Sequence, residues 1–218
     1  MPRTLHESIE SIRTDLIRMG SLIEGMLENA TRAVVERDDD LADHVAQQDR
    51  VIDRMELEID ESCNSLLALT QPMAIDMRFL VSVMKITSDL ERMGDSAVNI
   101  VIGARELNKQ PPLKAYVDLP RMSEMTQEMV RSALNAFVQR DAKAATRVCK
   151  ADDDVDALYH ELFEELCGMM AEDGGTVSRA IHLLLIARNF ERIADHATNV
   201  AEDVVYYVEG RDIRHKGG

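Results

Sequence analysis

The sequence predicts an all-α fold, a tandem duplication of a three-helix bundle with six long helices in two similar halves side by side. Three observations carry that prediction. First, residues 86–99 read Ile-Thr-Ser-Asp-Leu-Glu-Arg-Met-Gly-Asp-Ser-Ala-Val-Asn and residues 186–199 read Ile-Ala-Arg-Asn-Phe-Glu-Arg-Ile-Ala-Asp-His-Ala-Thr-Asn. Ile86, Glu91, Arg92, Asp95, Ala97 and Asn99 are identical to their counterparts 100 residues on, and Val83, Leu90, Met93 and Ile100 match Leu183, Phe190, Ile193 and Val200 by type. Second, Ala30, Ala33, Val35, Arg37, Asp38 and Ala42 recur 103 residues later, as do Asp49, Asp53, Glu58 and Glu61 in Asp152, Asp156, Glu161 and Glu164. A register kept over most of a chain marks an internal repeat. The drop in offset makes the second copy three residues shorter ahead of its last helix. Third, apolar residues recur at helical spacing throughout, and nothing alternates with period two for long enough to propose a strand. The halves divide as 1–112 and 113–218.

Helix 1 follows Leu5, Ile9, Ile12, Leu16, Met19, Ile23, Met26, Ala30 and Ala33, in unbroken steps of four and three. Gly20 and Gly25 interrupt it at a cost of about 1 kcal/mol each relative to Ala, so both are expected at close helix contacts. Asp38 to Asp40 supply the N-cap of helix 2, where acids meet unpaired N–H groups and the positive dipole end. Its apolar seam is Leu41, Val45, Gln48, Ile52, Met55, Ile59, Ser62, Leu66 and Leu69, flanked by an acidic stripe of Asp49, Asp53, Glu56 and Asp60. Thr70-Gln71-Pro72 ends it, because the residue before Pro avoids the helical region.

Helix 3 runs from about Met73 to Leu107 through Leu80, Val83, Ile86, Leu90, Met93, Ala97 and Ile100. Pro111-Pro112 breaks the chain between the halves. Asp118 and Pro120 suit the first turn of helix 4, which carries Met122, Met125, Met129, Ala133 and Phe137. Asp141 caps helix 5, with seam Val148, Asp152, Val155, Tyr159, Leu162, Leu166 and Met169. After the Asp173-Gly174-Gly175 turn, helix 6 spans about Thr176 to Val208, and the tail Arg211 to Gly218 is expected to fray.

Composition narrows the function. The net charge is -15, from 40 acidic against 25 basic residues, and no run of Lys or Arg makes a basic patch. Phosphate backbones and anionic lipid surfaces repel such a chain, so cations or basic protein surfaces are the expected partners and nucleic acid is excluded. Cys63, Cys149 and Cys167 lack metal-ligand spacing and read as reduced thiols of a cytosolic protein. No apolar run approaches the roughly 20 residues of a membrane span, and the N-terminus shows no signal-peptide pattern, so a cytoplasmic location is expected.

The chemistry lies in carboxylates. Residues four apart share a helix face, so Glu91 stands one turn from Asp95 and Glu191 one turn from Asp195. Asp49/Asp53 and Asp152/Asp156 form matching pairs, and an antiparallel packing of helices 2 and 3, and of 5 and 6, turns two pairs toward each other in each half. Clustered carboxylates cannot all stay ionised unless their pKa values rise or a cation sits among them. Asp49, Asp53, Glu91 and Asp95 are therefore candidate ligands of one hard cation site, and Asp152, Asp156, Glu191 and Asp195 of the other. Iron, Mg²⁺, Mn²⁺ and Ca²⁺ all suit oxygen-only ligands. Arg92 and Arg192 read as partners of neighbouring acids, Asn99 and Asn199 as supporting donors or polar edge positions, and Glu202 as a further candidate on the Glu191 stripe. His196 falls on another face.

Three classes fit these residues: a metal-binding regulator or adaptor, a carboxylate-bridged metalloenzyme or metal store, and a plain helical scaffold. Ferritin-like di-iron enzymes need Glu-x-x-His on two helices, and none of the six histidines has Glu three residues before it. With no nucleophile-base pair or phosphate-cradling glycine loop either, the chain is expected not to be an enzyme.

At Glu-Arg-Met-Gly-Asp and Glu-Arg-Ile-Ala-Asp the sequence resembles the PhoU family of phosphate-signalling regulators, over nearly its whole length. Ala74, Asp76 and Arg78 in Met-Ala-Ile-Asp-Met-Arg extend the match, and Met77 departs from the usual Leu. The resemblance implies two three-helix bundles with metal clusters held by the Glu/Asp-x-x-x-Asp pairs. It also implies a cytoplasmic negative regulator of the phosphate regulon, acting between the phosphate ABC transporter and its sensor histidine kinase. A homodimer, associating with the membrane only through protein partners, is expected.

Overall fold

The periodic seams wind into six helices: α1 Leu5–Arg32, α2 Asp39–Thr70, α3 Ala74–Asn108, α4 Asp118–Gln139, α5 Ala142–Glu172 and α6 Val177–Glu209. These come from a computed structural model that describes residues 5–214. No strand occurs among the described residues. The first four residues of the expected leaderless start and the last four of the expected frayed tail lie outside them. In α1 the buried residues are the predicted seam, Ile9, Ile12, Leu16, Met19, Ile23, Met26 and Ala30, joined by Gly20 and Leu27.

The repeated Arg-Asp pair is a corner. Arg37 and Arg140 both adopt left-handed backbone, at φ 59° and 55°. In each copy the following Asp then opens a helix. Asp38 Oδ1 accepts from the N–H groups of Asp40 and Leu41 at 2.9 and 3.2 Å, and Asp141 Oδ1 from those of Lys143 and Ala144 at 2.9 Å. A left-handed non-glycine residue costs roughly 1–2 kcal/mol. At Arg37 the side chain offsets this by donating from Nη2 to the carbonyls of Leu107, Asn108 and Gln110 at 3.2, 2.7 and 2.6 Å, which closes the C-terminus of α3. Arg140 instead lies over the Tyr207 ring, 5.7 Å from its centroid, near the end of α6.

Contacts between the halves are reciprocal. Along α3 and α6, Arg78 Nε donates to the Tyr207 carbonyl at 3.1 Å and Lys85 Nζ meets Asp203 Oδ1 at 2.9 Å, while Gly103 packs on Ile186. These helices are therefore antiparallel. Removing the 100-residue offset turns the Lys85–Asp203 contact into the Gly103–Ile186 one to within a residue. Along α1 and α4, Thr31 Oγ1 meets Ser123 Oγ at 2.6 Å and Gly20 packs on Leu134. Here the 103-residue offset carries Ser123 onto Gly20 and Leu134 onto Thr31. When residue i of one copy meets j of the other, and j meets i, the operator is a twofold. An approximate internal twofold, not a translation, relates the two bundles.

Small residues permit the close approach. A methyl at position 103 would stand 2.8 Å from Ile186 Cγ1, and one at position 20 would stand 2.2 Å from Leu134 Cδ1. Gly25 corrects the expectation for its position, since nothing lies within 4 Å of where its Cβ would be. The α2 seam also drifts. Cys63 is fully buried where Ser62 was expected, and Leu69 is 82% exposed. A helix of 3.6 residues per turn slips past a 3.5-residue pattern, so a seam extrapolated over about eight turns rotates off the core. Beyond Gly210 the described tail is partly docked: Ile213 packs against the core, and Arg214 pairs with Asp212.

One aromatic cluster pins the halves together. Phe79 from α3, Phe137 from α4 and Tyr207 from α6 have ring centroids 5.5–5.7 Å apart, and all three are at most 2% exposed.

Candidate metal centres

The turn at Pro72 reverses the chain so that α3 returns along α2, and Asp173-Gly174-Gly175 does the same for α6 along α5. Asp49 and Asp53 on α2 then lie within reach of the charges of Glu91 and Asp95 on α3. Burial first, then Asp53 and Asp95, pushes the Asp49 carboxyl up to about 6. Glu91 is raised by burial, Asp95, Glu56 and Asp53, with Arg92 opposing. In the second half, burial followed by Asp156, Asp195 and Glu191 pushes Asp152 up to about 7. Burial and Asp195 raise Glu191 against the pull of Arg188, and burial and Asp156 raise Asp195.

Each foursome is thus one electrostatic group, with its outer members Asp53, Asp95, Asp156 and Asp195 exposed and its inner members sunk between helices. Among the described residues, no three His, Cys, Asp or Glu side chains close on a common point in the way ligands of one ion would. Three carboxylate oxygens, Asp49 Oδ1, Asp152 Oδ1 and Glu191 Oε2, are buried with no hydrogen-bond partner. A buried anionic oxygen without a donor is costly unless a cation supplies the missing charge. An oxygen-only set with orphaned lone pairs fits a hard cation and not a thiolate-seeking one.

Neighbouring side chains complete the electrostatics of these groups. Arg188 pairs through Nη1 with Glu191 Oε1 and lies 5.9 Å from the Tyr159 ring centroid. Its place three residues before Glu191 was the available signal. Glu56, raised by burial, Asp60 and then Asp53, belongs electrically to the first group. His196 does turn away from the carboxylates: its Nδ1 lies 2.9 Å from Asp89 Oδ1, which also accepts from Asn199 Nδ2 at 3.2 Å. Arg92 and Arg192 are exposed and make no ion pair among the described residues, contrary to expectation, though Arg92 still pulls against the rise of Glu91 and Glu56, and Arg192 against that of Asp195. Glu202 is felt by Cys149, whose thiol burial pushes up to about 11.

A family model described as the PhoU domain matches the chain twice, over residues 16–102 and 119–204. The chain belongs to the PhoU family. Each PhoU-domain match contains one carboxylate foursome. The chain is 42% identical to the phosphate-specific transport system accessory protein PhoU homolog of Aquifex aeolicus, covering 97% of this chain and 96% of that one. Against the homolog from Pseudomonas aeruginosa the identity is 39%, covering 96% of this chain and 87% of that one. The crystal structure of PhoU from Pseudomonas aeruginosa superposes with a TM-score of 0.92 at 37% identity, covering 95% of this chain and all of that one. The structure of the phosphate transport system regulatory protein PhoU from Streptococcus pneumoniae gives 0.90 at 27% identity, covering 96% and 99%. Among the described residues of this PhoU-family chain, no helix is long and apolar enough to cross a membrane.

Proposed function

We propose that this PhoU-family protein is a cytoplasmic negative regulator of phosphate uptake. On this reading it is a metal-binding adaptor between the phosphate ABC transporter and its sensor histidine kinase, working as a homodimer. The observation that carries the metal part is the pair of carboxylate foursomes with buried, partnerless oxygens at twofold-related places. The names of the relatives as accessory and regulatory proteins of phosphate transport support the phosphate part.

Asp49 and Asp53 from α2 would hold a cation together with Glu91 and Asp95 from α3, and Asp152, Asp156, Glu191 and Asp195 would hold its counterpart. The ion supplies positive charge where these side chains repel one another. With that repulsion offset, Asp49 and Asp152 stay ionised and the helices of each hairpin are tied at mid-length. A tied hairpin presents a defined surface to a partner protein, and no part of this arrangement requires turnover.

Deleting the gene is expected to leave phosphate-starvation genes switched on in phosphate-rich medium. Pull-down from cell membranes should recover subunits of the transporter or the kinase. Normal repression in the deletion strain would contradict the regulator, and robust hydrolase or oxidase turnover by metal-loaded protein would replace it with a metalloenzyme.

A further inference from the structure

Between α4 and α5, on the outer side of the second bundle, lies a cleft of about 490 Å³. Its floor is apolar: Met129, Ala136 and Val148 are at most 3% exposed, and Met125, Ala144 and Ala151 are half-buried. Two alanines make the room. The 103-residue offset puts Leu41 and Gln48 of the first bundle where Ala144 and Ala151 stand, and there Leu41 packs against the core and Gln48 buries its side-chain oxygen. The offset also puts the Arg32–Glu36 ion pair, at 2.8 Å, where the second bundle has the uncharged Asn135 and Gln139. One backbone plan thus fills these positions in the first bundle and empties them in the second. The rim is charged, and unevenly. Arg147 stands about two turns from the Arg140-Asp141 corner that joins the helices, whereas Glu124 and Asp154 face each other at the far end, with Glu128 one turn nearer. Glu124, Asp154 and Arg147 are exposed and make no ion pair among the described residues.

We propose that this cleft receives an amphipathic helix of a partner protein, one that carries basic residues beside its apolar seam toward its amino end. The proposal rests on the adaptor reading above for the existence of a protein partner, and not for the chemistry of the cleft. From Glu124 to Gln139 the α4 wall rises about 22 Å, which a helix of about four turns spans. An extended segment would leave its own N–H and C=O groups unpaired against the apolar floor, whereas a helix satisfies them internally. An apolar seam at three- and four-residue spacing matches such a floor, and the two methionines adapt to its side chains. Charge then selects the partner and its direction. The positive end of a helix dipole and flanking Lys or Arg side chains suit the end that holds Glu124, Glu128 and Asp154, and the negative end suits Arg147. The docked helix therefore runs parallel to α4 and completes a four-helix bundle. A second copy of this chain is the poorer occupant, because it brings a net charge of -15 to acidic walls.

A fluorescent helical peptide of about five turns tests this on the full chain, with leucines at seam spacing, lysines beside the seam in its amino half and glutamates in its carboxyl half. A control peptide exchanges the lysines and glutamates. Fluorescence anisotropy should show the first peptide binding about tenfold more tightly than the control, a preference that fades as salt is added. Ala144→Leu with Ala151→Gln should weaken the first peptide by at least about tenfold. The fold accommodates both changes, since Leu41 and Gln48 occupy the equivalent places. Glu124→Lys with Asp154→Lys, changed only at exposed positions, should reverse the preference between the peptides. No binding of either peptide at about 100 μM, or equal binding by the filled variant, overturns the proposal. So does a filled variant that sediments as a monomer where the wild type is a dimer, which would place a second copy in the cleft. Pull-down from membranes keeps the two readings apart: a partner recovered equally by the filled variant leaves the adaptor standing and overturns the cleft, whereas no partner with either protein removes the adaptor and leaves the peptides to decide the cleft.

Discussion

Phe79→Ala is expected to lower the stability of the folded chain by about 3–5 kcal/mol. The side chain is 1% exposed, and its ring stacks on Phe137 and meets the edge of Tyr207 at centroid distances of 5.7 and 5.6 Å. Its removal leaves a cavity bounded by α3, α4 and α6 and also ends two aromatic contacts, each contributing about 0.5–1.5 kcal/mol beyond buried area. Arg13, whose guanidinium lies 5.4 Å from the Phe79 centroid, loses its ring as well. The twofold gives an internal control. The counterparts of Phe79, Phe137 and Tyr207 are Arg179, Val34 and Leu107, so the opposite end of the same interface holds no aromatic cluster. Leu107→Ala, at 3% exposure, should cost about 2–3 kcal/mol. Denaturant unfolding checks both, and a Phe79→Ala loss under about 1 kcal/mol would mean that the cluster does not join the halves.

The second large effect is a dependence of stability on pH in metal-free protein. Asp152 is pushed from 3.8 to about 7 and Asp49 from 3.8 to about 6, so folding raises both values. A carboxyl with a raised folded pKa binds its proton more tightly when folded. Its stabilising contribution is complete below 3.8 and is lost as pH climbs through about 6 for Asp49 and about 7 for Asp152. Chelator-treated protein should therefore melt at a higher temperature at about pH 5 than at about pH 8. Asp49→Asn with Asp152→Asn should flatten that difference, and adding Mn²⁺ to wild-type protein at the higher pH should restore the lost stability, since it binds the folded form. A melting temperature that rises across this interval in chelated wild-type protein would show that the inner carboxylates are not under strain.

Much of the fold is written locally. Helical periodicity placed the seams of α1 and α3, and Asp38 and Asp141 cap helices where an acid precedes a helical pattern, because capping depends on residues two and three apart. The twofold was not legible. A repeat offset states that two copies exist, and only the pairing of Thr31 with Ser123 and of Gly20 with Leu134 states how one copy is turned onto the other. Leu69 and Ser62 were misplaced because neither the end of a neighbouring helix nor slow seam rotation is marked in the residues themselves.

The carboxylate groups were visible because spacing of four on one helix is a property of sequence, and the duplication repeats it. Their neighbours were harder. Asp89 meets His196 and Asn199 only because α3 crosses α6, a contact 107 and 110 residues apart in the chain. Arg188 had a local signal, since three residues before Glu191 it shares a helix face with it, whereas Arg192, one residue after, points elsewhere and makes no such pair among the described residues.

Anomalous diffraction from crystals grown with Mn²⁺ tests the central claim most directly. The account predicts an anomalous peak enclosed by Asp49, Asp53, Glu91 and Asp95, and a second by Asp152, Asp156, Glu191 and Asp195, with the orphaned oxygens of Asp49, Asp152 and Glu191 turned onto the ions. A map with no peak at either place, the eight carboxylates facing water, would contradict it.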